Sequence, residues 1–405
     1  DLLAERKAPI IGSRLARILD KPFADKMLDA DEAAFLFSAR GDAFSAVAAA
    51  ADALRQEVSG DTLTYVVNRN INYTNVCYFK CQFCAFSKGK LTENLRGKPY
   101  VLDMEEIERR VAEAWDRGAT EVCMQGGIHP AYTGQTYLDI LAAVRRGAPD
   151  IHIHAFTPLE VRQGAETLGL PIPEYLGMLK DAGLSTLPGT AAEILDDEVR
   201  DIICPDKLNT AEWFEVMRAA HDIGLRSTAT IMYGHVEHYG HWATHLMRLR
   251  QAQSESGGFS ELVPLPFVAE EAPIYLKGLA RKGPTFREAI LMHSVARLAL
   301  FPWFSNIQAS WVKLGPDGVA AALNAGANDI GGTLMNESIT RAAGAAHGEE
   351  LAPHRMEAIA HGIGRPVRQR STLYGFPPEP QQQRARQAAP LDAIINRPAK
   401  EYERA

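Results

Sequence analysis

Cysteine is scarce in this 405-residue chain, with five in all, and aromatic residues make up only 8%. Three of the five cysteines fall at 77, 81 and 84. That distribution makes no disulfide framework, so a stapled secreted scaffold is excluded and a reducing compartment, the cytoplasm, is expected. No apolar run is long enough to cross a bilayer, nothing at the start resembles a signal segment, and no internal repeat recurs. Acidic residues (50) outnumber basic ones (43), for a net charge of -7. Such a surface offers no general attraction for nucleic acid. The few basic clusters, at 365–370 and 384–386, read as solvated surface. The chain starts at Asp1 rather than Met, and is expected to be trimmed or to be one part of a longer polypeptide.

What remains is an ordinary globular composition, 46% hydrophobic and 23% charged. The length suffices for one barrel of about 250 residues with appendages. Residues 1–60 carry apolar positions every three or four, punctuated by Gly41 and Gly60, and read as a helical extension. From residue 61 the pattern changes. Strand-like runs at 65–74, 120–125, 151–156, 184–187, 226–233, 259–265, 306–312 and 328–334 alternate with helix-like segments at 104–117, 136–146, 158–180, 191–203, 210–223, 238–256, 285–300 and 318–325. Eight β-then-α units with apolar strands indicate an α/β fold, a (β/α)8 TIM-type barrel over 61–375. A doubly wound sheet is the competing arrangement. The Pro/Gln/Arg-rich segment 376–405 is expected to be an irregular, extended or partly disordered tail.

Against this background one stretch stands out: Asn72-Tyr-Thr-Asn-Val-Cys77-Tyr-Phe-Lys-Cys81-Gln-Phe-Cys84, directly after the first strand. Three thiolates in one short loop can wrap a corner of a [4Fe-4S] cube and hold three of its irons. No fourth cysteine lies nearby, so one iron stays open to chemistry, as on a catalytic metal. A buried helical stripe of cysteines is the plain alternative, but the flanks carry no helical period. A structural zinc site wants four ligands, and Cys123 stands in a separate apolar run.

Functional residues of such barrels cluster where strands end. After the second strand comes Gln125-Gly126-Gly127-Ile128-His129-Pro130, where paired glycines permit close approach to a ligand or simply make a turn. The third ends in His152-Ile-His154, both histidines on one face, with His154 the better placed for a polar contact; Glu160 reads as an early helix acid. After the fourth, Thr190 and Glu193 form a capping-box pattern. The fifth ends in Tyr233-Gly234-His235, followed by His238, His241 and His245 on what reads as a polar helix face. Later strand ends offer Gln308, Lys313, Asn336 and Glu337 as polar groups for a polar substrate.

The cysteine spacing with Phe83 before the last thiol resembles the radical S-adenosylmethionine (SAM) superfamily. The longer set, Asn68 to Gly89 with Ser87-Lys-Gly89, Gln125 to Pro130, His154 to Pro158 and Gly332 to Ser338, closely resembles the family that makes the deazaflavin precursor of coenzyme F420, CofH and the C-terminal half of FbiC. The resemblance implies a [4Fe-4S] cluster on Cys77, Cys81 and Cys84. It places SAM beside Phe83, Gln125, Gly126, Gly127, Glu193 and Tyr233. It leaves Tyr73, His129, His154, His235, Gln308, Lys313, Asn336 and Glu337 as substrate candidates, with Tyr73, Tyr78, Phe79, Phe83 and Phe86 as wall material. The implied reaction splits SAM to a 5'-deoxyadenosyl radical that takes hydrogen from the tyrosine amine. The tyrosine Cα–Cβ bond breaks to leave 2-iminoacetate, and the 4-hydroxybenzyl fragment joins C5 of 5-amino-6-(D-ribitylamino)uracil. A companion radical SAM enzyme or domain and a reducing electron donor are implied partners. The rival readings are a radical SAM enzyme of the futalosine route to menaquinone and an iron–sulfur protein that only relays electrons.

Overall fold

The computed structural model describes residues 12–87, 99–344, 347–389 and 391. Lys88 and Gly89 of the motif, the first eleven residues of the expected extension and most of the chain beyond 389 lie outside the described residues. Nine strands are described: β1 Leu63–Val66, β2 Asn68–Ile71, β3 Glu121–Met124, β4 His152–Ala155, β5 Thr186–Leu187, β6 Arg226–Tyr233, β7 Phe259–Pro266, β8 Asp329–Gly332 and β9 Val367–Arg370. Every pairing between them is parallel. Strands β2 to β7 are neighbours in chain order. Beyond β7 the ring continues through single bridges, Leu262 to Ile307 and Gln308 to Asp329. It returns through β8 to β1, which runs on into β2. The (β/α)8-type barrel expected from the sequence is therefore present.

Three strand readings need correction. The first run parts at Val67 into β1 and β2 and ends at Ile71, because β1 pairs with β8 and β9 while β2 pairs with β3. The run at 306–312 is no strand. Only Ile307 and Gln308 bridge, and helix Trp311–Leu323 starts there, with its turn re-aimed at Gly315 (φ 66°) and Pro316. Strand β9 has no counterpart among the expected runs. It lies in the cluster 365–370 that reads as solvated, yet Arg365 and Arg370 are both buried. Arg370 donates to Asp329 at 2.5 and 2.9 Å and reaches Glu261 at 3.4 Å, so its charge is matched inside the barrel.

The helices follow their sequence signals more closely. Asp103 caps Met104–Asp116 by accepting from the Glu106 N–H at 2.8 Å, a bond that satisfies one of the four orphan donors at a helix start. The segment 158–180 is divided by Pro171 into Pro158–Leu168 and Ile172–Asp181. Helices Ala30–Phe37 and Asp42–Ser59 of the extension pack on Phe286–Leu300, and the former also on Tyr239–Ser256. The described part of the tail is more ordered than its composition suggests. Glu379–Gln387 is a helix whose Gln381 donates to the carbonyls of Trp115 and Ala119. Its backbone lies so close to Gly118 that a Cβ there would meet Ala385 N at 2.3 Å.

Candidate active site

The cysteine loop leaves β2 at the C-terminal rim of the barrel and is held by backbone bonds on three sides. Tyr78 N–H donates to Ile128 O at 3.1 Å, Gln82 N–H to Ile203 O at 2.7 Å, and Ile274 N–H to Gln82 O at 2.8 Å. Cys77, Cys81 and Cys84 all face one cavity of about 230 Å³. Burial pushes the Cys77 and Cys81 thiols up. A metal centre reverses that preference, since a coordinating thiol is deprotonated outright. Among the described residues only Asp196, Glu198 and His241 gather three ligand atoms within 4.8 Å of one another. The cysteine sulfurs are thus spread wider than the roughly 3.8 Å that tetrahedral zinc with bonds of about 2.3 Å imposes. Three free thiols around a cavity, without a fourth protein ligand among its lining cysteines, fit a [4Fe-4S] cluster with one open iron.

The glycine pair is packed against this loop. A Cβ on Gly127 would lie 2.2 Å from Val76 O and 2.9 Å from Cys77 Cβ, and one on Gly126 would lie 2.4 Å from the Tyr73 ring. Only glycine admits such approach. The turn is fixed by Gly126 N–H donating to Glu160 at 3.0 Å, Gly127 N–H to Thr74 O at 2.9 Å and the Asn72 amide to Gln125 O at 3.1 Å. Glu160 is therefore more than an early helix acid. It accepts from Tyr73, Gly126 and Thr157, and burial raises its pKa despite those bonds.

Glu193 has no capping role. Ala191 and Glu193 adopt left-handed φ of 76° and 44°, and the next helix, Asp197–Ile203, is capped by Asp196. Left-handed backbone in non-glycine residues stores strain and is concentrated at functional sites. It turns Glu193 into the cavity, where Lys207 Nζ lies 2.8 Å from Oε1. Lys207 escaped the sequence reading. Burial would lower its pKa, but Glu193 and the neighbouring Cys81 and Cys204 outweigh that and raise it, so the ammonium stays charged. It also stands 5.3 Å over the Phe83 ring, a cation–π distance. Much of the remaining wall is apolar, with Phe79, Phe83, Phe86, Met232, Leu265 and Phe267.

Below lies a second chamber of about 240 Å³ inside the barrel, and Gln125, Thr190, Leu265, Lys313 and Ile339 line both. Of the sequence candidates, Phe83, Gln125, Gly126, Gly127 and Glu193 line the outer cavity, and His154, Gln308, Lys313 and Glu337 the inner one. His154 and His152 both reach Thr186 Oγ1, at 2.7 and 2.8 Å. Burial lowers both histidines, so they are neutral.

The remaining candidates lie outside the two cavities. Strand alternation puts Met232 in the cavity and turns Tyr233 outward against Trp242, fully buried. His235 sits 2.8 Å from Glu237 and also contacts Met232 O, outside both cavities. His245 is buried between Leu195 N and Thr230 O, so the histidines do not share a polar face. Tyr73 packs against Gly126, the His129 ring lies tilted against Tyr132, and Asn336 lines neither chamber. Tyr78 is half exposed and stacks on Phe79.

A profile of the Radical SAM superfamily matches residues 71–249, and one described as the CofH/MqnC C-terminal region matches 256–383. The FO synthase of Streptomyces coelicolor is 48% identical over 382 residues, 94% of this chain but 43% of its own length. That of Mycobacterium leprae is 51% identical over 346 residues, 85% of this chain and 40% of its own. The chain thus spans less than half the length of the FO synthases it matches. The 5-amino-6-(D-ribitylamino)uracil–L-tyrosine 4-hydroxyphenyl transferase of Methanocaldococcus jannaschii is 48% identical over 327 residues, 80% of this chain and 90% of its own. Among solved structures, methylornithine synthase (PylB) superposes with a TM-score of 0.64 at 19% identity, over 87% of this chain and 97% of its own. HydG, a maturase of the [FeFe]-hydrogenase, superposes at 0.66 and 15%, over 88% and 76%; likeness at those identities speaks to fold alone. The chain belongs to the radical SAM superfamily, whose [4Fe-4S] cluster and SAM are its cofactors, and within it to the family of the Methanocaldococcus jannaschii transferase.

Proposed function

We propose that this chain transfers the 4-hydroxybenzyl group of L-tyrosine to C5 of 5-amino-6-(D-ribitylamino)uracil, as a radical SAM step toward the deazaflavin of coenzyme F420. The observation that carries the reading is the pair of joined chambers beneath a three-thiol cradle, in a chain matching 90% of a relative named for that transfer. Bound together, the cluster and SAM supply a carbon radical, and the protein supplies orientation and exclusion of water. The Gln125-Gly126-Gly127 turn presents backbone polar groups at the cavity wall and is braced by Glu160. Glu193 and Lys207 form a fixed ion pair for a polar, zwitterionic ligand. Phe79, Phe83 and Phe86 keep water from a reactive centre. Lys313, half-buried between the chambers with its pKa lowered by desolvation, stands where both ligands meet.

The same reading assigns a companion radical SAM enzyme or domain that completes the deazaflavin ring, supported by the longer FO synthases, and a reducing electron donor. It places the protein in the cytoplasm, supported by its free cysteines; no helix among the described residues is long and apolar enough to cross a membrane. It treats 61–375 as the catalytic unit, with the helices before it as an extension. Anaerobically reconstituted protein given reductant, SAM, tyrosine and the diaminouracil should form 5'-deoxyadenosine and a tyrosine-derived adduct. SAM cleavage indifferent to both substrates would remove the assignment.

A further inference from the structure

The two chambers differ in where their polar groups sit. The outer one joins an aromatic wall, Phe79, Phe83, Phe86 and Phe267, to the Glu193–Lys207 ion pair. The inner one carries carboxylates, amides and hydroxyls from several strands and loops, among them Asn70, Glu261, Gln308, Ser310 and Glu337, between aliphatic side chains such as Val263 and Leu334. Its base is closed by matched charge. Arg370 grips Asp329 and Glu261, Tyr374 donates to Glu261 at 2.6 Å, and Thr372 and Asn68 each donate to Glu121 at 2.7 Å.

Higher up, two acceptors have no hydrogen-bond partner among the described residues, although Lys313 on the same wall adds its charge near Glu337. Glu337 is 4% exposed; its Oε1 accepts from Thr340 N–H at 2.7 Å, but Oε2 has no partner. The Asn70 Oδ1 is likewise buried and unpaired. Buried acceptors of this kind are normally satisfied, and leaving one bare costs about 1–3 kcal/mol. Both residues line the inner chamber, so the ligand there must bring hydrogen-bond donors. The phenol of tyrosine brings one donor, at one end of an apolar ring, and cannot serve acceptors carried by several different elements. A chain of hydroxyls brings a donor and an acceptor at each carbon.

We propose that the inner chamber binds the polyhydroxylated chain of the acceptor substrate, with its ring turned up to the neck at Gln125 and Lys313 and the aromatic amino acid held above, on the apolar side. This assignment rests on the proposed function and deepens it. The geometry suits the chemistry: the ring carbon that forms the new bond faces the radical source, and the unreactive polyol is stowed farthest from it. Hydroxyls filling the chamber also displace water that would otherwise sit beneath the reacting atoms.

The test compares two acceptors, 5-amino-6-(D-ribitylamino)uracil and 5-amino-6-(methylamino)uracil, which keeps the ring and lacks the polyol. Binding of each to cluster-reconstituted wild-type, Gln308→Met and Ser310→Ala protein is measured by calorimetry, with cluster absorbance and far-ultraviolet circular dichroism reporting that the variants fold. Wild type should prefer the ribityl compound by at least tenfold. Each variant should weaken that compound about tenfold, the equivalent of one hydrogen bond, and shift the methyl compound by less than twofold. Equal loss for both compounds, or a wild type without preference, overturns the assignment. So does a variant whose tyrosine affinity falls instead, since that would put the amino acid in the chamber. A wild type that discriminates in this way yet forms no adduct would remove the transferase reading while leaving the polyol site standing.

Discussion

Replacing Lys207 by Met keeps the length and packing of the side chain and deletes its charge. Glu193 then loses the one ion-pair partner it has among the described residues, in a site where its side chain is 7% and that of Lys207 10% exposed. Breaking a buried pair from one side strands a charge and destabilises by about 3–5 kcal/mol. With an unfolding entropy of about 2.1 cal/mol/K per residue, the melting temperature of the apoprotein should fall by about 4–6 °C. Adding Glu193→Gln should restore most of that, because no charge is then stranded, and the double-mutant cycle should yield a coupling energy above about 2 kcal/mol. SAM affinity, read by calorimetry on the reconstituted protein, should fall in all three variants and should not recover in the double one. Additive melting shifts, each equivalent to under about 1 kcal/mol, would mean the pair is loose and solvated and would refute the description of Glu193 as fixed by Lys207.

Three further outcomes are expected. Gly127→Ala should lower iron content and SAM affinity, since its Cβ would press on Val76 O and Cys77 Cβ; unchanged iron per chain would show that the loop yields freely. Cys81→Ala should abolish the brown cluster absorbance, and a retained four-iron spectrum would show that the ligand set is wrong. Glu261 is pushed up by burial to about 7 against the pull of Arg370. Its folded pKa lies above the unfolded value of about 4.3, so its contribution to stability is complete below pH 4 and is lost as pH rises toward 7. Chemical denaturation from pH 4 to 8 should therefore show a decline in wild type that Glu261→Gln lacks; parallel curves would contradict it.

The pattern of the chain determined a good deal by itself. Alternating β-branched runs and capped helices specify a parallel barrel because each strand must bury both faces and each helix one. The cysteine spacing and the glycine pair identify the cofactor end because both are local: a few consecutive residues set the geometry. Position relative to strand ends also brought Gln308, Lys313 and Glu337 into view, and the inner chamber gathers them.

Tertiary structure decided what depends on distant partners. Thr190 and Glu193 have a helix-capping spacing, but the packing that presses Gly189 against β6 and ties Met232 N–H to Glu193 O turns that backbone left-handed instead. Lys207 carries no motif, and its importance comes from meeting Glu193 fourteen residues away in a buried space. The charged run containing Arg370 reads as surface because its counter-charges, Glu261 and Asp329, lie 109 and 41 residues distant. Tyr233 lies outside the cavity because one step of strand alternation puts Met232 there instead, and His235, beyond the strand, is held by Glu237. Short-range order along the chain fixes periodicity, caps and metal spacing; charge pairing and facing require the three-dimensional path, since they are properties of separations in space rather than along the chain.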